Sequence, residues 1–177
     1  MVHLPKGLDT RRSHRVIQFF IKRSETWSKE NRDFSIYWSI SHMTTTAQIM
    51  RLLAALRGID PDICAIAGAL HDVATMETGK AENHAIKALD LIDPLLAEYN
   101  ADNEKLKIND EEIILLKKVI SQHSNKDIYS ENIYAETLKD ADAIDRYLHG
   151  VETKETEITR LKIAFSALGI ATEFLAE

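Results

Sequence analysis

The chain has 177 residues, 45% of them hydrophobic, which suits one compact domain with a sizeable core and is too little for two. Its formal net charge of -6, with both signs interspersed, excludes broad binding to a nucleic-acid duplex or an anionic membrane, since each needs a basic partner. Cys64 is the single cysteine, so a disulfide framework and a thiolate metal cluster are excluded too, which fits a reducing cytoplasm; within DICAIAGAL it reads as a small buried hydrophobe.

The opening stretch, MVHLPKGLDTRRSH, lacks the apolar core of a signal peptide, and no uncharged run reaches the length of a membrane span, so the expectation is a soluble intracellular protein. His3 and His14 carry no argument. With three prolines, six glycines and apolar residues recurring every three or four positions, the chain reads as an all-α, multi-helix bundle forming a single domain over 1–177. Residues 11 to 30 form the first helix of this reading, with Val16, Phe19, Phe20 and Arg23 on one face. A second runs from about Ile36 to Arg57, carries His42, and ends at Gly58.

Asp60-Pro61 supplies an N-cap and a proline at the first helical position of the next helix, which delivers His71-Asp72 at its far end. Residues 73 to 80, VATMETGK, read as a loop; helical spacing resumes in AENHAIKALDLIDPLLAEY, where Pro94 marks a kink or break. NADNEKLKIND reads as a connection, with Asp110 placed to cap EEIILLKKVISQHS, near whose end His123 falls. A helix from about Ile133 to His149 carries DADAIDRY and stops at Gly150, and residues 152 to 175 form a final amphipathic helix that covers the core or joins a second copy in a homo-oligomer.

His71-Asp72 is the pair that carries chemistry, because an imidazole and a carboxylate side by side both ligate divalent cations. Consecutive helical residues point about 100° apart, so the two share an ion only if other helices complete its shell. An acidic cluster, Asp140, Asp142 and Asp145, closes the series, and His42 with one aspartate of its DAD run, Asp140 or Asp142, would supply two imidazoles and two carboxylates, with positions left for water and substrate. Taken singly, each is a hydrogen-bonded core histidine or a capping aspartate. The ordered series is what argues for a site. Mixed nitrogen and oxygen donors suit manganese, iron, zinc, nickel, cobalt or magnesium without choosing among them.

This order, His42, then His71-Asp72, then a late aspartate in DADAID, resembles the HD-domain superfamily of metal-dependent phosphohydrolases, over roughly Ile36 to Gly150. The resemblance implies His42, His71, Asp72 and Asp142 as ligands of a principal metal, with Asp142 preferred to Asp140, which reads as a helix-start or supporting residue. Some members carry two further histidines that bind a second metal bridged by the doublet's aspartate, and His84 and His123 match those positions; a single-metal site with both as substrate or proton-transfer groups is the alternative. Asp72, His84 and His123 are thereby the implied catalytic residues. Thr75 and Met76 stand where alarmone hydrolases carry an acidic pair, which counts against that substrate.

The activity implied is attack of metal-activated hydroxide on phosphorus in a small phosphorylated metabolite, with a nucleotide the leading class. Arg146, Lys87 and Lys80 are the expected phosphate contacts, with Glu77 a proton-transfer group and Trp27, Tyr37 and Trp38 either a wall for a base or ordinary core. A metal-containing nucleotide-binding module without turnover and a di-iron oxygenase are the competing readings.

Overall fold

Helix α3 (Pro61–Leu70) organises the molecule, and its sequence explains why. Asp60 accepts from the backbone N–H groups of Asp62 and Ile63, while Pro61 occupies a position where no N–H is needed. Every residue from Ile63 to Leu70 is then buried. Ile63, Ile66 and Leu70 each contribute about 1.5–3 kcal/mol by leaving water, while Ala65, Ala67, Gly68 and Ala69 let neighbours approach closely.

The computed structural model describes residues 9–175, so His3 lies outside the described residues. Among these residues no strand occurs, and the remaining helices are α1 (Arg11–Arg23), α2 (Ile36–Arg57), α4 (Val73–Thr78), α5 (His84–Asp102), α6 (Asp110–Ile120), α7 (Ile133–Leu148) and α8 (Glu155–Ala167). Helix α3 runs through the middle, packed against α1, α2, α6 and α7, and α8 lies on α7. The all-α reading holds.

Two local devices position the site. A Cβ built on Gly68 would lie 2.8 Å from Ala47 Cα and 3.2 Å from the Thr46 carbonyl carbon, so α2 and α3 touch backbone to backbone at a point only glycine permits. His42, one turn before Thr46, is thereby set against His71, which follows Gly68 by three residues. The second device is the junction after α3: Asp72 adopts a non-helical conformation (φ -102°, ψ 20°) and the chain turns directly into α4.

That helix replaces the expected loop over 73–80. Val73, Ala74, Thr75 and Met76 are buried, Gly79 ends the helix at φ 75°, and the Arg32 guanidinium donates to the Thr75 and Met76 carbonyls at 3.1 and 2.9 Å, satisfying groups a helix end leaves free. Polar composition misled because the polarity belongs to a helix end with a partner elsewhere in the chain.

Other boundaries also differ. Helix α1 stops at Arg23 and passes into a 3-10 turn, leaving Trp27 extended. Helix α5 runs through Pro94 to Asp102, and Asn109, not Asp110, caps α6 through a reciprocal pair with Glu112. His123 lies three residues beyond α6, in a turn. The final helix is shorter than 152–175 because Gly169, at φ 72°, turns the chain away after Ala167.

Candidate metal centre

His42 of α2, His71 and Asp72 at the α3–α4 junction and Asp142 of α7 meet in the interior. His42 Nε2 lies 3.0 Å from His71 Nε2, 3.5 Å from Asp72 Oδ2 and 3.4 Å from Asp142 Oδ1. His71 Nε2 lies 3.7 Å from Asp72 Oδ1 and 4.0 Å from Asp142 Oδ1. Ligand atoms held at about 2.1 Å from one ion are about 3.0 to 4.2 Å from one another, so these spacings suit a single cation. On the other side of Asp72, its Oδ1 lies 3.1 Å from His84 Nε2 and 3.5 Å from His123 Nε2, with the two ring nitrogens 2.9 Å apart.

Tautomers follow from the hydrogen bonds. His71, His84 and His123 each direct Nδ1 at a carbonyl oxygen three residues upstream, Gly68, Ala81 and Ile120, at 2.7 Å. A carbonyl only accepts, so Nδ1 carries the hydrogen and Nε2 presents a lone pair to the centre. His42 instead donates Nδ1–H to Asp145 Oδ2 through a very short bond, the carboxylate–histidine arrangement that raises the basicity of a metal ligand. Lone pairs thus face one another at 3.0 and 2.9 Å, and each contact calls for positive charge between its two rings.

The centre's electrostatics express the same need. Burial works against charge on His42, yet Asp145, Asp72 and Asp142 outweigh it and lift its pKa to about 10: in a metal-free centre a proton stands where a cation belongs. Burial dominates at His71 and pushes it down to about 4. His84 is raised, burial being overcome by Asp72. Burial would raise Asp72 and Asp142, but the surrounding rings hold Asp72 well below the carboxylate range, and Lys126 with His71 and His42 does the same for Asp142. Asp142 Oδ1 is buried with no hydrogen-bond donor, a state that costs about 1–3 kcal/mol unless a cation answers it. The donor set fits a divalent metal.

The family profile of the HD domain matches residues 39–147, well over half of the chain. The chain belongs to the HD-domain family. Neither the curated proteins nor the solved structures gave a match. HD domains form a superfamily of metal-dependent phosphohydrolases that bind divalent cations, and the matched span begins before His42 and ends after Asp142, so all six clustered residues of this HD domain lie inside it.

Asp140 is not among them. Arg57 Nη2 donates to its Oδ2 through a short bond and Arg160 Nη1 to its Oδ1 at 2.7 Å, which turns this carboxylate away from the centre. The expected phosphate contacts are not brought to the cluster by any ion pair: Lys80 pairs with Asp33 at 2.9 Å, Lys87 reaches Glu82 at 3.9 Å, and Arg146 pairs with no carboxylate among the described residues. Glu77 is taken by Arg23 and by the Trp27 indole, at 2.6 and 3.1 Å, so it does not serve the centre. Trp38 stacks on His42 with ring centroids 4.5 Å apart and on Phe34 at 4.3 Å, so its ring packs the ligand instead of facing a pocket, while Tyr37 is 87% exposed. Cys64 is buried and burial pushes its thiol up, as a packing role requires.

Two residues of the HD-domain centre had no role assigned from sequence. Asp145 follows Asp142 by three positions, a spacing that places both on one helical face, and this signal was available. Its Oδ2 also lies 3.2 Å from His149 Nδ1, which makes the helix-end histidine a partner of Asp145. Lys126, 2.7 Å from Asp142 Oδ2, lies in the irregular segment between α6 and α7, where no periodicity points at it.

Proposed function

We propose that this HD domain is a divalent-metal-dependent phosphohydrolase acting on a small phosphorylated metabolite, a nucleotide being the first class to test. His42, His71, Asp72 and Asp142 would hold one cation, and Asp72 with His84 and His123 would hold a second. When bound, such cations lower the pKa of coordinated water and neutralise charge on phosphoryl oxygens. The chain's own residues hold the imidazoles with Nε2 inward, keep Asp72 ionised, and exclude water from the His71 side, where exposure is 1%.

The single observation that carries this reading is the position of Asp72, whose two oxygens face four imidazole Nε2 atoms, Oδ2 toward His42 and Oδ1 toward His71, His84 and His123. A carboxylate ringed in this way would serve both cations, which supports the reading. The His84 side chain, 22% exposed, marks the side from which substrate approaches.

The test is metal analysis of protein purified without added ions, followed by phosphate release from a nucleotide panel with manganese, nickel or cobalt. Bound metal and turnover are expected. Asp72→Ala should lower turnover about 1,000-fold, the several kcal/mol a metal supplies to a phosphoryl transition state. Protein that stays metal-free under saturating ions, or an Asp72→Ala variant as active as the parent, overturns the reading.

A further inference from the structure

We infer that Lys126 is the phosphate contact of this centre and that Arg160, on α8 and outside the matched span 39–147, is the positioning residue that holds it in place. The inference rests on the proposed phosphohydrolase reading and names a substrate-binding group within it. The Lys126 ammonium lies 2.7 Å from Asp142 Oδ2, while Oδ1 of the same carboxylate faces His42 and His71. A cation therefore stands one carboxylate's width from the place where metal would bind, without being a metal ligand.

Lysine has three N–H donors, and Asp142 Oδ2 is the only partner of this one among the described residues, so donor capacity is left for a second anion. The side chain is 12% exposed, neither sealed in the core nor loose in solvent. Among the described residues no other lysine or arginine pairs with a carboxylate of the centre. Lys139, the nearest competitor along α7, is buried against the Ile128 carbonyl and Glu136. A compact point charge of this kind is a common phosphate binder.

The backbone that carries Lys126 is irregular, yet it is tied down. Arg160 donates Nε and Nη2 to the Lys126 carbonyl at 3.2 and 2.9 Å, and Nη1 to Glu136 and Asp140 at 2.9 and 2.7 Å. Arg160 is 1% exposed, and its guanidinium sits 4.6 Å over the Tyr129 ring. Glu136 also accepts from the Ser130 N–H at 3.0 Å. A buried arginine with two carboxylates is a costly way to hold one carbonyl, and the arrangement makes sense where the register of that carbonyl matters. The residue so fixed is Lys126, three positions after His123.

Calorimetric titration of inorganic phosphate into manganese-loaded protein decides the matter without turnover. Lys126→Met should bind phosphate about 10- to 100-fold more weakly, as expected for a lost hydrogen bond to a charged group, and raise KM more than it lowers kcat. Metal content should stay at the parental value, while the loss of the partner of Asp142 Oδ2 lowers the melting temperature. Lys126→Arg should recover most of the affinity. Arg160→Lys, which keeps the charge and loses the planar fork, should weaken phosphate binding in the same direction with metal retained.

Parental phosphate affinity in Lys126→Met overturns the inference, leaving the lysine as a mere neutraliser of Asp142, and so does loss of metal from that variant. Parental affinity in Arg160→Lys overturns the positioning half. A parent that binds metal and phosphate but turns over no phosphoester sinks the phosphohydrolase reading, while the affinity comparison still decides Lys126.

Discussion

His42 and Asp142 come from α2 and α7 and His71 from the residue that follows α3, on backbone fixed by burial and by the Gly68 contact, whereas His84 stands at the first position of α5 and His123 in a turn beyond α6. His71 and Asp142 are within a few per cent of complete burial, and His84 is the open member of the set. The first group is inseparable from the core; the second is held by local hydrogen bonds to Ala81 and Ile120. Depth alone does not separate the two groups, since His123 is 1% exposed like His71; His84, with 22% of its side chain exposed, is the member of the second group that solvent reaches.

That contrast can be broken by paired substitutions. His71→Ala should empty the inner position and destabilise the protein by about 3 kcal/mol, since it opens a buried void beside a carboxylate already lacking a donor. His84→Ala should lower the metal-to-protein ratio by one ion while moving the melting temperature little. Equal losses of metal and stability in the two variants would dissolve the distinction. Asp145→Asn tests the inner half from behind: losing the charged acceptor for His42 Nδ1 should weaken metal affinity about 10- to 100-fold with the fold intact, measured by competition with a chelating dye.

Gly68→Ala sharpens the structural side. The added methyl meets Ala47 backbone at 2.8 Å, so α2 and α3 must separate, at a cost of about 1–3 kcal/mol in urea unfolding, and the His42–His71 spacing should loosen with them. Stability against pH offers a further handle on the inner half. In metal-free protein, His71 folded at about 4 against an ordinary 6.5 means that the unfolded chain binds the extra proton between those values, so stability rises with pH there. His42 works oppositely: at about 10 it holds a proton the unfolded chain has lost above 6.5, so stability falls as pH rises from 6.5 to 10. Denaturant midpoints should peak near 6.5, and saturating metal should remove the alkaline decline because it displaces the His42 proton.

Much of the centre was legible because metal ligation restricts residue type. Imidazoles and carboxylates in a fixed order over residues 42 to 142 form a pattern that survives without knowledge of contacts, and Asp60-Pro61 and Gly58 punctuated the helices that carry it. Cation partners were not legible. Lys80, Lys87 and Arg146 were as plausible as Lys126 on spacing alone, because any lysine on a polar face reads alike until its carboxylate is known. Helix α4 was missed for a related reason: its end is satisfied by Arg32, about forty residues upstream, and local composition carries no trace of such a partner.

By itself the amino-acid order determined an all-helical chain and a set of ligand types in family order, since periodicity and donor chemistry are local properties of residues. Only the tertiary structure decided which oxygen of Asp72 faces which ring, that Asp140 belongs to Arg57 and Arg160 while Asp142 belongs to the centre, and that Lys126 stands beside it. Those assignments depend on distances of 2 to 4 Å between segments remote along the chain, and such distances are set by close packing, above all by backbone contact at Gly68.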